Sequence, residues 1–93
     1  MAKITVKFYS LWNLYLNKNT VDLEADTFEE AMSQLDSLYG EKLRAKLRTN
    51  NLTFSNFKNS STMLVNGVSI RNIKNQVLKD GDILHVFPPI AGG

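Results

Sequence analysis

"TVDLEADTFEEAMSQLDSLYG", residues 20–40, changes its period partway along. Val21, Leu23 and Ala25 alternate with Thr20, Asp22 and Glu24, the period of two expected of a half-buried strand. From Thr27 onward the apolar residues Phe28, Ala31, Met32, Leu35, Leu38 and Tyr39 recur at helical spacing. Thr27 followed three residues later by Glu30 has the form of a capping box, in which each side chain satisfies a free backbone N–H. Gly40 reads as the left-handed stop. A helix with one apolar stripe, entered directly from a strand, must cover a sheet, so this stretch decides for an α+β domain.

Working toward the N-terminus, "KITVKFY", residues 3–9, sets Ile4, Val6 and Phe8 on one face and Lys3, Thr5, Lys7 and Tyr9 on the other. It reads as a first strand, hairpinned to the second through "SLWNLYLNKN", residues 10–19. Toward the C-terminus, "EKLRAKLR", residues 41–48, has Leu43 and Leu47 one turn apart and reads as a short second helix. In "TNNLTFSNFKNSST", residues 49–62, ten of fourteen residues are Asn, Ser or Thr, which favour turns by bonding to their own backbone. A long loop is expected there, pinned to the body by Leu52, Phe54 and Phe57. "MLVNGVSI", residues 63–70, carries Asn66-Gly67 between two β-prone triplets, the strongest short hairpin signal. "KDGD", residues 79–82, is a further turn, and "ILHVF", residues 83–87, the last strand. Pro88 and Pro89 cannot donate to a ladder and end it. The expected order is β-β-α-(helix or loop)-β-β-β in one domain spanning 1–93, with a flexible tail over 88–93.

Composition narrows the function classes. The chain has 93 residues, 43% hydrophobic and 22% charged, close to a soluble globular average of about 45–50% and about 25%. It is long enough for one core and too short for two. Eleven Lys or Arg against nine Asp or Glu give a net charge of +2, spread along the chain except at 41–48. No basic face with interleaved aromatics is visible, so a nucleic-acid partner is not expected. No apolar run approaches the ~18 residues of a membrane span and the N-terminus lacks a signal-peptide pattern, so no membrane partner and a cytoplasmic location are expected.

There is no cysteine, which removes disulfides, thiolate ligands and a thiol nucleophile. His85 is the only histidine and, by its alternation with Leu84 and Val86, reads as the outward residue of the last strand. No GxSxG elbow and no phosphate-cradling glycine loop occurs. The body has no recognisable active site, so attention moves to "FPPIAGG", residues 87–93. Two prolines hold an extended course, followed by Ile90, Ala91, Gly92 and Gly93. Fully extended, residues 88–93 reach at most about 20 Å, enough to carry a terminal carboxylate into another protein. Glycine lets a narrow channel close around the backbone.

"MLVNG" together with "LKDGDILHVFPPIAGG", residues 78–93, resembles the MoaD/ThiS family of ubiquitin-like sulfur carriers. The strand "ITVKFYS" leading to an aromatic-containing turn, and the capped helix at 27–39, stand where that family has them. The Phe-Pro-Pro ending looks more like the molybdopterin synthase small-subunit branch than the shorter thiamine carriers. The resemblance implies a β-grasp fold, a mixed sheet of four to five strands covered by one main helix. It implies that a ubiquitin-activating-type enzyme adenylates the Gly93 carboxylate with ATP and that a sulfur donor converts it to a thiocarboxylate. A large catalytic subunit of molybdopterin synthase then receives the tail, and the sulfur builds the dithiolene of the molybdenum or tungsten cofactor. On this reading the chain is no enzyme by itself and binds no cofactor, ATP belonging to the activating enzyme. Sulfur delivery for thiamine or tRNA thiolation, and protein modification through Gly93, use the same tail. An Arg-containing stretch common in the family is replaced here by "SLWNLYL".

Alternation places Tyr9 opposite Ile4, Val6 and Phe8, and Phe87 on the side of His85. Both aromatics are therefore expected to face outward beside the tail as partner contacts, with Pro88, Pro89, Ile90 and Ala91 gripping the partner. Gly92 and Gly93 are the expected reactive end.

Overall fold

The computed structural model describes residues 1–69 and 77–88, with Ser69 described by its backbone alone. Five strands form one mixed sheet in the order β2-β1-β5-β3-β4: β1 Lys3–Phe8, β2 Thr20–Glu24, β3 Thr62–Val65, β4 Val68–Ser69 and β5 Ile83–Phe87. The two central strands, β1 and β5, run parallel, and every other pair is antiparallel. Among the described residues, helical segments share the buried core with the inward face of the sheet. This is the β-grasp arrangement, with the strand count expected from the resemblance.

The period-two reading of the strands holds. Ile4, Val6 and Phe8 of β1, Leu84 and Val86 of β5, and Met63 and Val65 of β3 all lie within the buried core. They meet Phe28, Ala31, Met32 and Leu35 of α2 (Phe28–Leu35) from above. At roughly 1.5–3 kcal/mol for each fully buried large apolar side chain, this interface dominates the favourable side of the folding balance. Thr27 caps α2 as expected, its hydroxyl accepting from the Glu30 N–H at 3.2 Å. The reciprocal bond is shifted by one residue, for the Glu30 carboxylate accepts from the Asp26 N–H at 2.9 Å rather than from Thr27.

Some expectations are corrected. Gly40 does not stop the helix: its φ of −57° and ψ of −45° are right-handed helical. A π turn over Asp36–Gly40 carries the backbone from α2 directly into α3, Glu41–Thr49. A π turn inserts an extra residue into the helical spiral and rotates all that follows. Leu38 is thereby turned out, 58% exposed, while Leu43 and Leu47 return to the core. The hairpin through 10–19 holds, β1 and β2 pairing antiparallel, and α1 (Ser10–Leu16) forms within it and buries Trp12 and Leu16. The Trp12 indole N–H donates to the Ser61 hydroxyl at 2.8 Å, and its ring meets that of Phe54 edge-on at 5.9 Å. Within the loop 49–62, Phe54 and Phe57 do pin the chain, but Leu52 is half exposed. A single helical turn, α4 (Phe57–Ser60), also forms, capped by Asn56, whose side chain accepts from the Asn59 N–H at 2.8 Å.

The two expected turns are present and tied together. Asn66 and Gly67 have φ of 50° and 87°, the positive pair that a tight primed hairpin turn requires. Asn66 Oδ1 accepts from the Ile83 N–H at 2.9 Å, and Asn66 Nδ2 donates to Asp82 Oδ1 at 2.8 Å. Asp82 in turn closes the 79–82 turn, its Oδ2 accepting from the Lys79 N–H at 2.9 Å. These bonds fix where β5 begins, and so where it ends. Ile70 of the expected hairpin, and Pro89, Ile90, Ala91, Gly92 and Gly93 of the expected tail, lie outside the described residues.

Candidate functional site

Because β1 and β5 are adjacent and parallel, in the register Lys7↔His85 and Phe8↔Val86, their outward residues form matched rows. Inward Phe8 and Val86 are in the core, which leaves Lys7, Tyr9, His85 and Phe87 on the opposite face. The Tyr9 N–H donates to the Val86 carbonyl at 3.1 Å and carries the ladder one step beyond β1. Tyr9 is then opposite Phe87, and their rings stack with centroids 4.4 Å apart and planes 11° apart. Stacked aromatic pairs contribute about 0.5–1.5 kcal/mol beyond the area they bury.

The same tyrosine reaches His85. Its hydroxyl lies 2.7 Å from His85 Nδ1, and the two rings are 5.8 Å apart. On the far side of β5, Leu64 and Thr62 of β3 stand opposite His85 and Phe87. Tyr9, His85 and Phe87 are each half-buried, so each presents an edge to the surface while its other side is packed. Pro88, also half-buried, follows Phe87 directly and is the last described residue.

Tyr9 is held from its backbone as well. Its carbonyl accepts from the Trp12 N–H at 3.2 Å and so starts α1. The next residue, Ser10, has φ of 52°, a left-handed conformation that costs a non-glycine residue about 1–2 kcal/mol and persists only where its surroundings impose it. Burial of Trp12 and Leu16 within the helix that follows supplies that constraint.

The structure therefore brings together two of the expected partner contacts, Tyr9 and Phe87, at the point where the tail leaves. His85 was read from sequence as a bare outward position and proves to be bonded into the cluster. Its parity was legible, but its partner was not, because nothing local signals that β1 and β5 are neighbours. Among the described residues no group of His, Asp and Glu is placed to hold a metal ion. No described helix is long and apolar enough to cross a membrane. A depression between β1 and β2, lined by Lys3, Ile4, Thr5, Asp22, Leu23 and Glu24, does not include any residue of the aromatic cluster.

Comparison with known proteins agrees with this geometry. The ThiS family model matches residues 10–93, which include α1, the whole of β5 and the sequence through Gly93. No curated protein matches the sequence. Among solved structures, the small archaeal modifier protein 1 from Methanosarcina acetivorans superimposes with a TM-score of 0.75 at 22% identity, covering 100% of this chain and 98% of that one. A complex of subunits 1 and 2 of the molybdopterin-converting factor from Helicobacter pylori matches with a TM-score of 0.64 at 22% identity, over 98% of this chain and 99% of that one. Urm1 from Sulfolobus solfataricus matches with a TM-score of 0.63 at 22% identity, over 91% and 99%. These likenesses establish a shared β-grasp fold over nearly the full length. With the family match spanning all but the first strand, this chain belongs to the ThiS family.

Proposed function

We propose that this chain is a sulfur carrier in molybdopterin biosynthesis, acting as the small subunit of molybdopterin synthase, with the Gly93 carboxylate as its working group. The observation that carries the reading is that the family match runs through "FPPIAGG" to Gly93 in a chain with no cysteine. Sulfur can then be held only as an acyl derivative. A carboxylate is a poor electrophile. Attack of its oxygen on the α-phosphorus of ATP, with pyrophosphate leaving, makes a mixed anhydride. Hydrosulfide supplied by a donor then attacks the acyl carbon and expels AMP, leaving, after loss of its proton, a thiocarboxylate. ATP is the substrate of a ubiquitin-activating-type adenylating enzyme, and the chain binds no cofactor of its own.

The rest of the chain delivers that group. Over 1–93 it is one domain whose tail, 88–93, is the working part. Gly92 keeps the tail thin, and Pro88, Pro89, Ile90 and Ala91 give it reach and apolar grip. Tyr9 and Phe87 are aromatic anchors for the activating enzyme and for the large catalytic subunit, residue types that dominate binding energy when a partner desolvates them. The setting is the cytoplasm. The Helicobacter pylori complex is a precedent for a two-subunit assembly in a protein of this fold.

A second reading is a modifier joined through Gly93 to lysines of other proteins. It is favoured by the fold's occurrence in a protein named as an archaeal modifier. One reconstitution separates the two. With a ubiquitin-activating-type adenylating enzyme that accepts it, the chain should support release of pyrophosphate from ATP, and deletion of Gly93 should abolish release. Addition of a sulfur donor, the large subunit and the pterin precursor that accepts the sulfur should yield a pterin dithiolene. Lysine conjugates in its place would favour the modifier, and no pyrophosphate release by an enzyme active on its own carrier would sink both.

A further inference from the structure

Tyr9 and His85 are 76 residues apart in sequence, yet their side chains are joined at 2.7 Å. Tyr9 is also stacked on Phe87, bonded through its N–H to Val86 and through its carbonyl to the start of α1. Ring, hydroxyl, N–H and carbonyl are thus all engaged, and the strained Ser10 follows immediately. A surface tyrosine serving only as an apolar contact needs none of this. The fixed ring is the one against which Phe87 lies, and Phe87 is the residue from which Pro88 departs.

We propose that the Tyr9–His85 hydrogen bond is a latch that orients the root of the tail, with His85 as a positioning residue for delivery of Gly93. The proposal rests on the carrier reading above and adds the side chains that aim the tail. Phenol is the better proton donor of the pair and a neutral imidazole nitrogen the better acceptor. Tyr9 therefore donates to Nδ1, and the ring proton of His85 resides on Nε2. The bond holds the Tyr9 ring in one orientation, the stack holds Phe87, and the backbone leaving Phe87 points one way before any partner arrives. Such preorganisation lowers the ordering cost of seating the tail in an active site.

His85 is the only histidine of the chain, so its imidazole nitrogens can be read without ambiguity by long-range 15N–1H NMR. The wild-type chain should show a single Nε2–H tautomer. Tyr9→Phe, which keeps the stacking ring and removes the hydroxyl, should release it to a mixture. In steady-state adenylation, Tyr9→Phe and His85→Leu should each raise the KM for the carrier about three- to tenfold with little change in kcat, the range expected for loss of one ordering hydrogen bond. The double variant should be no worse than either single one. His85→Asn, whose amide oxygen replaces Nδ1 as acceptor, should restore the wild-type KM to within about twofold. A tautomer unchanged by Tyr9→Phe, or a KM unmoved by both Tyr9→Phe and His85→Leu, overturns the latch. If the wild-type chain is not adenylated at all, the carrier reading fails, and the NMR comparison decides the latch alone.

Discussion

Gly40→Ala tests the continuous helical path most sharply, because the sequence pattern and the structure assign its effect opposite signs. Gly40 is buried, with helical φ and ψ. A methyl built there would meet Arg44 Nη2 at 3.8 Å and Asp36 Cβ at 4.0 Å, both ordinary van der Waals contacts. Nothing must move. Alanine then lowers the conformational entropy of the unfolded chain and fills helix better than glycine, a gain of about 0.5–1 kcal/mol. For a domain of this size, that is a rise in Tm of about 2–8 °C. A left-handed C-cap would instead lose about 1–2 kcal/mol on gaining a Cβ, and Tm would fall by about 4 °C or more. Urea unfolding followed by far-UV circular dichroism gives the sign directly, with an unchanged m value showing that compactness is preserved. A lower midpoint for Gly40→Ala would refute the π turn and the uninterrupted path from α2 to α3.

Other substitutions test neighbouring parts of the account by the same unfolding measurement. Gly67→Ala should destabilise by about 1–2 kcal/mol although nothing lies within 4 Å of the added methyl, because the cost comes from φ of 87° alone; a neutral result would contradict the primed turn. Leu38→Ala should stay within about 0.5 kcal/mol of wild type, whereas Leu35→Ala, at a fully buried position, should cost about 2–5 kcal/mol. Equal losses would mean that the rotation imposed by the π turn is wrong. Thr27→Ala should lose about 1 kcal/mol through the missing cap on the Glu30 N–H.

Much of the fold was legible because its signals are local. The alternation in 3–8, 20–24 and 83–87, the Thr27 cap and the Asn66-Gly67 turn each depend on a few adjacent residues, and all stand in the structure. What was not legible depends on contacts between distant segments. Trp12 and Leu16 have helical spacing, but what holds α1 is Phe54 and Ser61, far along the chain. Gly40 followed Tyr39 at the end of an apolar stripe, where a stop is the ordinary reading. The stripe was drawn at a constant helical period, and the extra residue of the π turn broke that assumption. The helix-forming "EKLRAKLR" that follows then continued the path.

The candidate site divides along the same line. That Tyr9 and Phe87 share a face follows from strand parity, which sequence supplies. That they are stacked, and that His85 joins them, follows from the parallel pairing of β1 with β5, which brings the two ends of the chain side by side. Asn66 and Asp82, read only as turn residues, turn out to set the start of β5 through bonds across the sheet end.

The measurement that bears most directly on the carrier reading is the intact mass of the chain after co-expression with its activating enzyme and sulfur donor, with fragmentation to locate any change. The account predicts a gain equal to one sulfur replacing one oxygen, confined to Gly93 and absent when Gly93 is deleted. An unchanged mass in the presence of demonstrably active enzymes, or a sulfur located anywhere else in the chain, would contradict it.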